Sequence, residues 1–304
     1  MIDTIVTAVE EVETYTPDGC ASTLTRNFTP DHYITGIKAL CDLHKPIIVY
    51  CNPKIEQLIC ENLQGKVDRL PIFKNKSTRE IHPLYKEIFD YSKKIVDTNP
   101  TGVYCWNPMI TTAKLFFMLD AISLDTKNVL WVDAGLCNES YIPEDLGGAW
   151  HDIKMQDWNK MYPKNKDAVF NPQLGKQLFD LLGSTDGFIT GIPYIGIEPG
   201  KFIENYWDKE IPYWSASPCI IGFVKEKLER IKDSYISALK HYIDNYDRIF
   251  TDIEIFTFLN VYFDFSKLNF SKFDPTPDEG TIYHTLKNNI KHDKIRFNHT
   301  YIRK

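Results

Sequence analysis

Short apolar runs alternate with stretches of helical spacing through the first half of this chain, and that alternation leaves few folds open. Thr4–Val9 (TIVTAV), Pro46–Tyr50 (PIIVY) and Asn128–Val132 (NVLWV) have the length and β-branched content of strands, and Val67–Phe73 is strand-like. Between them, Asp31–Leu43 carries Tyr33, Ile37, Leu40 and Leu43 on one helical face. Asn52-Pro53 opens a second helix to about Asn62. Ser77-Thr78-Arg79-Glu80 has the form of a capping box for a third helix, reaching about Ile95. Asn107–Ile122 reads as a fourth, with Met109, Ala113, Phe116, Phe117 and Ala121 along one side. Strands that alternate with helices, and that are apolar on both faces, belong to a mostly parallel sheet covered on each side.

The second half is less regular. From Leu136 to about Asn171 the sequence is rich in Pro, Gly, Trp, Asp and Tyr, with weak periodicity. Pro172–Leu182, Lys225–Asn245 and Thr251–Phe263 are predicted helices, and Gly187–Ile192 and Cys219–Phe223 predicted strands. Phe273–Gly280 reads as a loop and Thr281–Ile290 as a short last helix. No linker separates autonomous units, so one integrated domain over 1–304 is expected, with a nucleotide-type half at 1–136 and a more irregular half at 137–304.

Composition removes several functions. The formal net charge is −6 over 304 residues, the opposite of what a protein tracking a nucleic-acid backbone needs. No apolar run approaches the ~20 residues of a spanning helix, and the N-terminus lacks the basic and apolar regions of a signal peptide. The seven cysteines form no Cys-x-x-Cys pair. Reduced, mostly buried thiols in a cytoplasmic compartment are the expectation. There is no P-loop, dinucleotide fingerprint, zincin helix or nucleophile elbow.

Chemistry concentrates where the strand NVLWV stops at Asp133, followed by Ala134 and Gly135. In open α/β sheets ligands sit at the carboxyl ends of strands, where strand order reverses. A carboxylate there, beside two small residues, suits a hard divalent ion bridged to a diphosphate. An aspartate capping the next turn fits the same local pattern equally well.

The string NPMITTAKLFFMLDAISLDTKNVLWVDAGL (107–136) resembles the signature of the HtrL/YibB-like (WlaTC/HtrL) proteins: Asn-Pro, a Lys-bearing apolar helix, then a strand ending Trp-Val-Asp-Ala-Gly-Leu. TIVTAV with PIIVYCN near the start is similar to that family's opening. PCIIGFVKEKLERI with TDIEIFTFL (218–259) is similar to its later half. The resemblance implies glycosyltransferases of the GT-A type. It implies a Rossmann-like α/β donor half with a mostly parallel sheet flanked by helices, and an irregular α+β acceptor half. It also implies a nucleotide-diphosphate sugar as donor, a UDP-sugar first, Mn²⁺ or Mg²⁺, and a glycan acceptor. Oligomeric state is not implied.

Residue roles follow from the same resemblance. Asp133 is the expected metal ligand. Gly135 stands where many GT-A enzymes carry a second acid, so His284 is the candidate for a further ligand. Lys114 and Arg26 are expected to neutralise the donor diphosphate, with Gly135 leaving it room; otherwise both read as solvated surface cations. Asp252 and Glu254 are the candidate catalytic acids. Thr251-Asp252-Ile253-Glu254 is also a capping box, and residues two apart on a helix point to nearly opposite sides. Asp252 is therefore favoured as catalytic, with Glu254 in the cap. Two rivals remain. One is an S-adenosylmethionine-type methyltransferase, although position 137 is Cys where its Gly-rich turn wants Gly. The other is a carbohydrate-binding protein on the same fold without turnover.

Overall fold

The computed structural model describes residues 2–10, 30–98, 108–134, 178–180, 182, 187–190, 220–246, 250, 252, 255–256, 259 and 270–273. Seven strands form one sheet in the order β3-β2-β1-β4-β6-β5-β7. They are β1 (Ile2–Val9), β2 (Ile47–Cys51), β3 (Ile72–Lys74), β4 (Thr126–Val132), β5 (Gly187–Thr190), β6 (Ile220–Val224) and β7 (Phe270–Phe273). The helices are α1 (Pro30–Cys41), α2 (Pro53–Leu63), α3 (Thr78–Ile81), α4 (Tyr85–Thr98), α5 (Pro108–Thr111), α6 (Lys114–Ala121) and α7 (Lys225–Asn245). Every strand pair is parallel except the two that involve β6. The architecture is thus α/β, with a mostly parallel sheet flanked by helices. Strands from both halves of the chain share that one sheet.

β1 lies at the point that matters. The chain builds outward from β1 to β2 and β3, then returns to place β4 on the other side of β1, in the register Val6 beside Ile48 and Trp131. The strand order reverses at β1, and the region beyond the carboxyl ends of β1 and β4 is where open α/β sheets hold ligands.

Side-chain alternation divides the core in two. Val6, Ile48, Tyr50, Val129, Trp131, Ile221 and Phe223 pack under α4, α6 and α7. Ile5, Ile47, Val49, Cys51, Leu130, Val132 and Ile220 pack under α1, α2 and the helical residues Leu178, Phe179 and Leu182. With both faces covered, all five residues of β2 are buried, which is why the strands read as unbroken apolar runs.

Local chemistry sets the boundaries. Asn52 caps α2 by accepting from the Ile55 N–H at 2.9 Å, with Pro53 at the first helical position. Glu80 accepts from the Ser77 N–H at 2.8 Å, completing the expected capping box. The helix expected to follow it is divided, because Pro83 forces His82 to an extended conformation (φ −81°, ψ 113°) and α4 starts afresh at Tyr85. The helix expected over 107–122 is also two. At Ala113 the backbone bonding tightens to a three-residue step, Ala113 N to Ile110 O at 3.1 Å, while the Thr112 hydroxyl turns back onto the Pro108 carbonyl. β3 is shorter than its predicted run, because Pro71 brings no amide hydrogen to the ladder. β7 falls partly on a segment read as a loop, and pairs in parallel with β5. α7 has the predicted limits. The segment 274–304, including the predicted last helix, lies outside the described residues.

Candidate functional site

Trp131 and Asp133 are two apart at the end of β4, so both side chains leave the sheet on the α6 side. The Trp131 indole donates from Nε1 to Asp133 Oδ1 at 2.6 Å. Lys114, the first residue of α6, places its ammonium 3.0 Å from Asp133 Oδ1 and 3.1 Å from Oδ2. On its other side the same ammonium lies 2.7 Å from Asp252 Oδ2. Three residues singled out for separate reasons therefore meet around one nitrogen.

Exposure orders them from outside in. The side chain of Asp133 is 32% exposed, that of Lys114 9% and that of Asp252 4%. Asp133 is the member at the mouth. Lys114 is not a surface lysine of an amphipathic helix; it is buried. Asp252 sits behind it and meets the ammonium rather than the opening. The carboxylate expected to act as a base is therefore buried and turned to the Lys114 ammonium.

The sequence works against this lysine unless the carboxylates are present. A cation at the first position of a helix faces the positive end of the macrodipole. Burial of the ammonium adds a desolvation cost that only close, well-aligned carboxylates offset. α6 is set at this angle by the break at Thr112-Ala113, and a second polar group holds the break. Tyr235 of α7, fully buried, donates to the Thr112 carbonyl at 3.1 Å. Burial, and then the nearby Asp252 carboxylate, raise its hydroxyl well above the ordinary tyrosine range, so it remains a donor. His82 Nδ1 accepts from the Leu84 N–H at 3.1 Å. Its Nε2 therefore carries the proton and donates to the Thr112 hydroxyl at 3.0 Å. Burial lowers this imidazole to about 3, and the ring is neutral.

Two more carboxylates are tied into the fold by close hydrogen bonds. Glu10, just past β1, takes the Thr78 N–H and hydroxyl at 2.5 Å each, one on each oxygen. Burial raises its carboxyl, with the Thr78 bonds opposing. Asp120, near the end of α6, collects Lys76 at 2.5 Å, Tyr50 at 2.7 Å and Lys74 at 3.0 Å. Burial opposes its ionisation, but the bonds from Lys76, Tyr50 and Lys74 prevail and lower it to about 2. Phe117, with its ring 5.9 Å from Trp131 and 4.7 Å from Tyr50, links the Lys114 and Asp120 ends of α6.

Among the described residues, the donor set around Asp133 does not by itself make a site for a divalent ion. Among the described residues no group of three His, Cys, Asp or Glu converges on one point. The one exposed carboxylate already holds an ammonium against both oxygens. Two unit charges 4 Å apart interact by about 4 kcal/mol at an effective dielectric near 20. A divalent ion would meet roughly twice this repulsion from the ammonium, against attraction of the same scale from each carboxylate, and would have to displace the ammonium from both Asp133 oxygens.

Of the expected site residues, Asp133, Lys114 and Asp252 are brought together. Arg26, Gly135, Glu254 and His284 lie outside the described residues. Trp131, Tyr235, Thr112, His82 and Glu10 were not anticipated. Trp131 was legible as a same-face neighbour two residues before Asp133, and Glu10 as the acid closing the first strand. Nothing in the sequence ties Tyr235 to Thr112.

No family model matches the chain, and no curated protein matches it. Among solved structures, the chain is similar to the crystal structure of 4-diphosphocytidyl-2C-methyl-D-erythritol synthase from Anaerococcus prevotii. The identity is 10%, the TM-score 0.38, and the match covers 95% of this chain and 97% of that one. At that TM-score the likeness carries no inference about activity.

Proposed function

We propose that the protein is a glycosyltransferase of GT-A type that moves a sugar from a nucleotide-diphosphate donor to a hydroxyl of a glycan acceptor. The observation that carries this reading is the meeting of Asp133, Lys114 and Asp252 at the carboxyl end of β4, beside the reversal of strand order. The place is the one where α/β sheets bind nucleotides and their conjugates, and the resemblance of residues 107–136 to HtrL/YibB-like proteins points to the same chemistry. In the transfer, an acceptor oxygen bonds to the anomeric carbon of the donor sugar. The bond from that carbon to the diphosphate oxygen breaks, and the nucleotide diphosphate leaves with the electron pair. The hydroxyl proton passes to a carboxylate at the site. Asp252, from its position behind Lys114, is a positioning residue. Arg26 and Gly135 are assigned to the donor diphosphate. The resemblance brings Mn²⁺ or Mg²⁺ with the donor, but no step here runs through the ion.

A thermal-shift screen of nucleotide sugars, with Mn²⁺ and with chelator, checks the reading; S-adenosylmethionine serves as the control. The expected result is a rise in Tm with one class of nucleotide sugar and none with S-adenosylmethionine. Slow hydrolysis of that donor without acceptor, lost in Asp133→Asn, would separate an enzyme from a carbohydrate-binding protein. A shift with S-adenosylmethionine alone would end the proposal.

A further inference from the structure

Building on the transferase reading, we infer that Asp133 binds a hydroxyl of the transferred sugar, with Lys114 as the site's resident cation in the place a divalent ion would take. The coordination of Asp133 carries this. An ionised carboxylate offers about four lone-pair directions. Among the described residues, Oδ1 receives both the Trp131 indole and the Lys114 ammonium, whereas Oδ2 receives the ammonium alone. Among the described residues this leaves one acceptor direction on Oδ2, on a side chain that is 32% exposed.

Charge then selects what takes it. Two carboxylates face one ammonium here. A pyrophosphate is repelled by the two carboxylates, and a second cation would have to displace the ammonium already held against both Asp133 oxygens. A neutral hydroxyl meets neither penalty, and it supplies the donor hydrogen that Oδ2 lacks. The geometry is also fixed in advance. Trp131 is stacked on Phe117, and Lys114 is clamped from behind by Asp252, so the carboxylate has little freedom to turn toward a metal. The diphosphate of the donor then rests on groups other than Asp133.

Binding of UDP and of three UDP-sugars (glucose, galactose, N-acetylglucosamine) to the full-length protein and to Asp133→Asn, in chelator and in Mn²⁺, tests this. Spin-resonance titration of Mn²⁺ in the absence of nucleotide provides a readout free of activity. The expected result is a UDP-sugar bound equally well in chelator and in Mn²⁺. Asp133→Asn should weaken the sugar nucleotide by roughly tenfold or more while leaving UDP unchanged, since a hydrogen bond to a charged group is lost. Wild type should take up no Mn²⁺ in the micromolar range. Lys114→Met, which leaves two carboxylates around the vacated position, should gain Mn²⁺ binding. Equal losses for UDP and UDP-sugar in Asp133→Asn would overturn the inference, as would wild-type Mn²⁺ binding abolished by that change, or a folded Lys114→Met that stays silent to Mn²⁺. If either variant fails to fold, the wild-type Mn²⁺ titration and the chelator comparison decide alone. Failure of every nucleotide and nucleotide sugar to bind wild type sinks the transferase reading instead, and the Mn²⁺ titrations still judge the role of Lys114.

Discussion

Lys114 is a residue whose position is unfavourable on three counts: it is buried, it is cationic, and it starts a helix. Asp133 and Asp252 offset this together, and neither is enough alone. Asp252→Asn should therefore destabilise the protein by about 3–5 kcal/mol, the cost of removing one partner from a buried pair. Urea unfolding measures it. Lys114→Met combined with Asp252→Asn should recover part of that loss, since the remaining amide no longer faces a buried charge. An additive double mutant would show that the two residues do not interact. Trp131→Phe makes a finer distinction. It keeps the ring against Phe117 and removes only the indole N–H, so a loss of about 1.5–3 kcal/mol is expected from the bond to charged Asp133. Each member of the trio was visible in the sequence: Asp133 as the end of a strand, Lys114 inside a recognisable string, Asp252 in an acidic helix start. Their meeting was not. A lysine on an apolar helix reads as exposed until the carboxylates that let it be buried are placed beside it, and Asp252 comes from the far end of the chain.

Elements carry the site through one close approach. A Cβ added to Gly36 of α1 would lie 1.7 Å from the Ala134 carbonyl oxygen, and the contact is with backbone, which cannot swing aside. α1 thus lies directly on the turn that aims Asp133. Gly36→Ala is expected to cost about 3 kcal/mol, the upper end of ordinary overpacking, and to weaken donor binding by displacing that turn. Chemical denaturation and the nucleotide-sugar thermal shift read the two effects. An unchanged stability would mean that α1 sits farther from β4 than described. The same scale shows what sequence periodicity can deliver. It located β1, β2, β4, α1, α2 and α7, because each is set by an apolar pattern and a local cap. It merged α3 with α4 and α5 with α6. The helical pattern continues through both breaks, and only Pro83 and the Thr112 hydroxyl interrupt the backbone. β7 was missed because its strand character depends on β5 as a neighbour, with few apolar residues of its own.

One sheet runs from the first strand to β7, so the molecule's response to acid is a property of the whole. Its most sensitive part lies at the junction of α3, α4, α5 and α7. His82 is buried there as a neutral ring, with Nδ1 committed to the Leu84 N–H. Its folded value is about 3 against an ordinary 6.5. In the unfolded chain the ring takes up a proton as pH falls below 6.5, while the folded protein does not. Stability is therefore complete above about pH 6.5 and declines toward pH 3. Each pKa unit is worth about 1.4 kcal/mol, so the loss approaches roughly 5 kcal/mol at the bottom of that window. Asp120, lowered to about 2 from 3.8, adds a second decline that begins only below pH 3.8. Glu10, raised by burial, works in the opposite direction: its stabilisation is present below its unfolded value of 4.5 and fades as pH rises. These windows overlap, so a variant that removes one group is what separates the contributions. Equilibrium unfolding between pH 7 and pH 4.5 should show stability falling with acid in wild type. His82→Gln can keep the donor to Thr112 but cannot take up a proton, so over that range its curve should lose the fall with acid and keep only the opposite slope from Glu10, and it should run parallel to wild type only below about pH 3. If His82→Gln retained the full slope above pH 4.5, the imidazole would not be the titrating group. The junction that tilts α6 and sets Lys114 between its carboxylates would then owe its acid sensitivity to another residue.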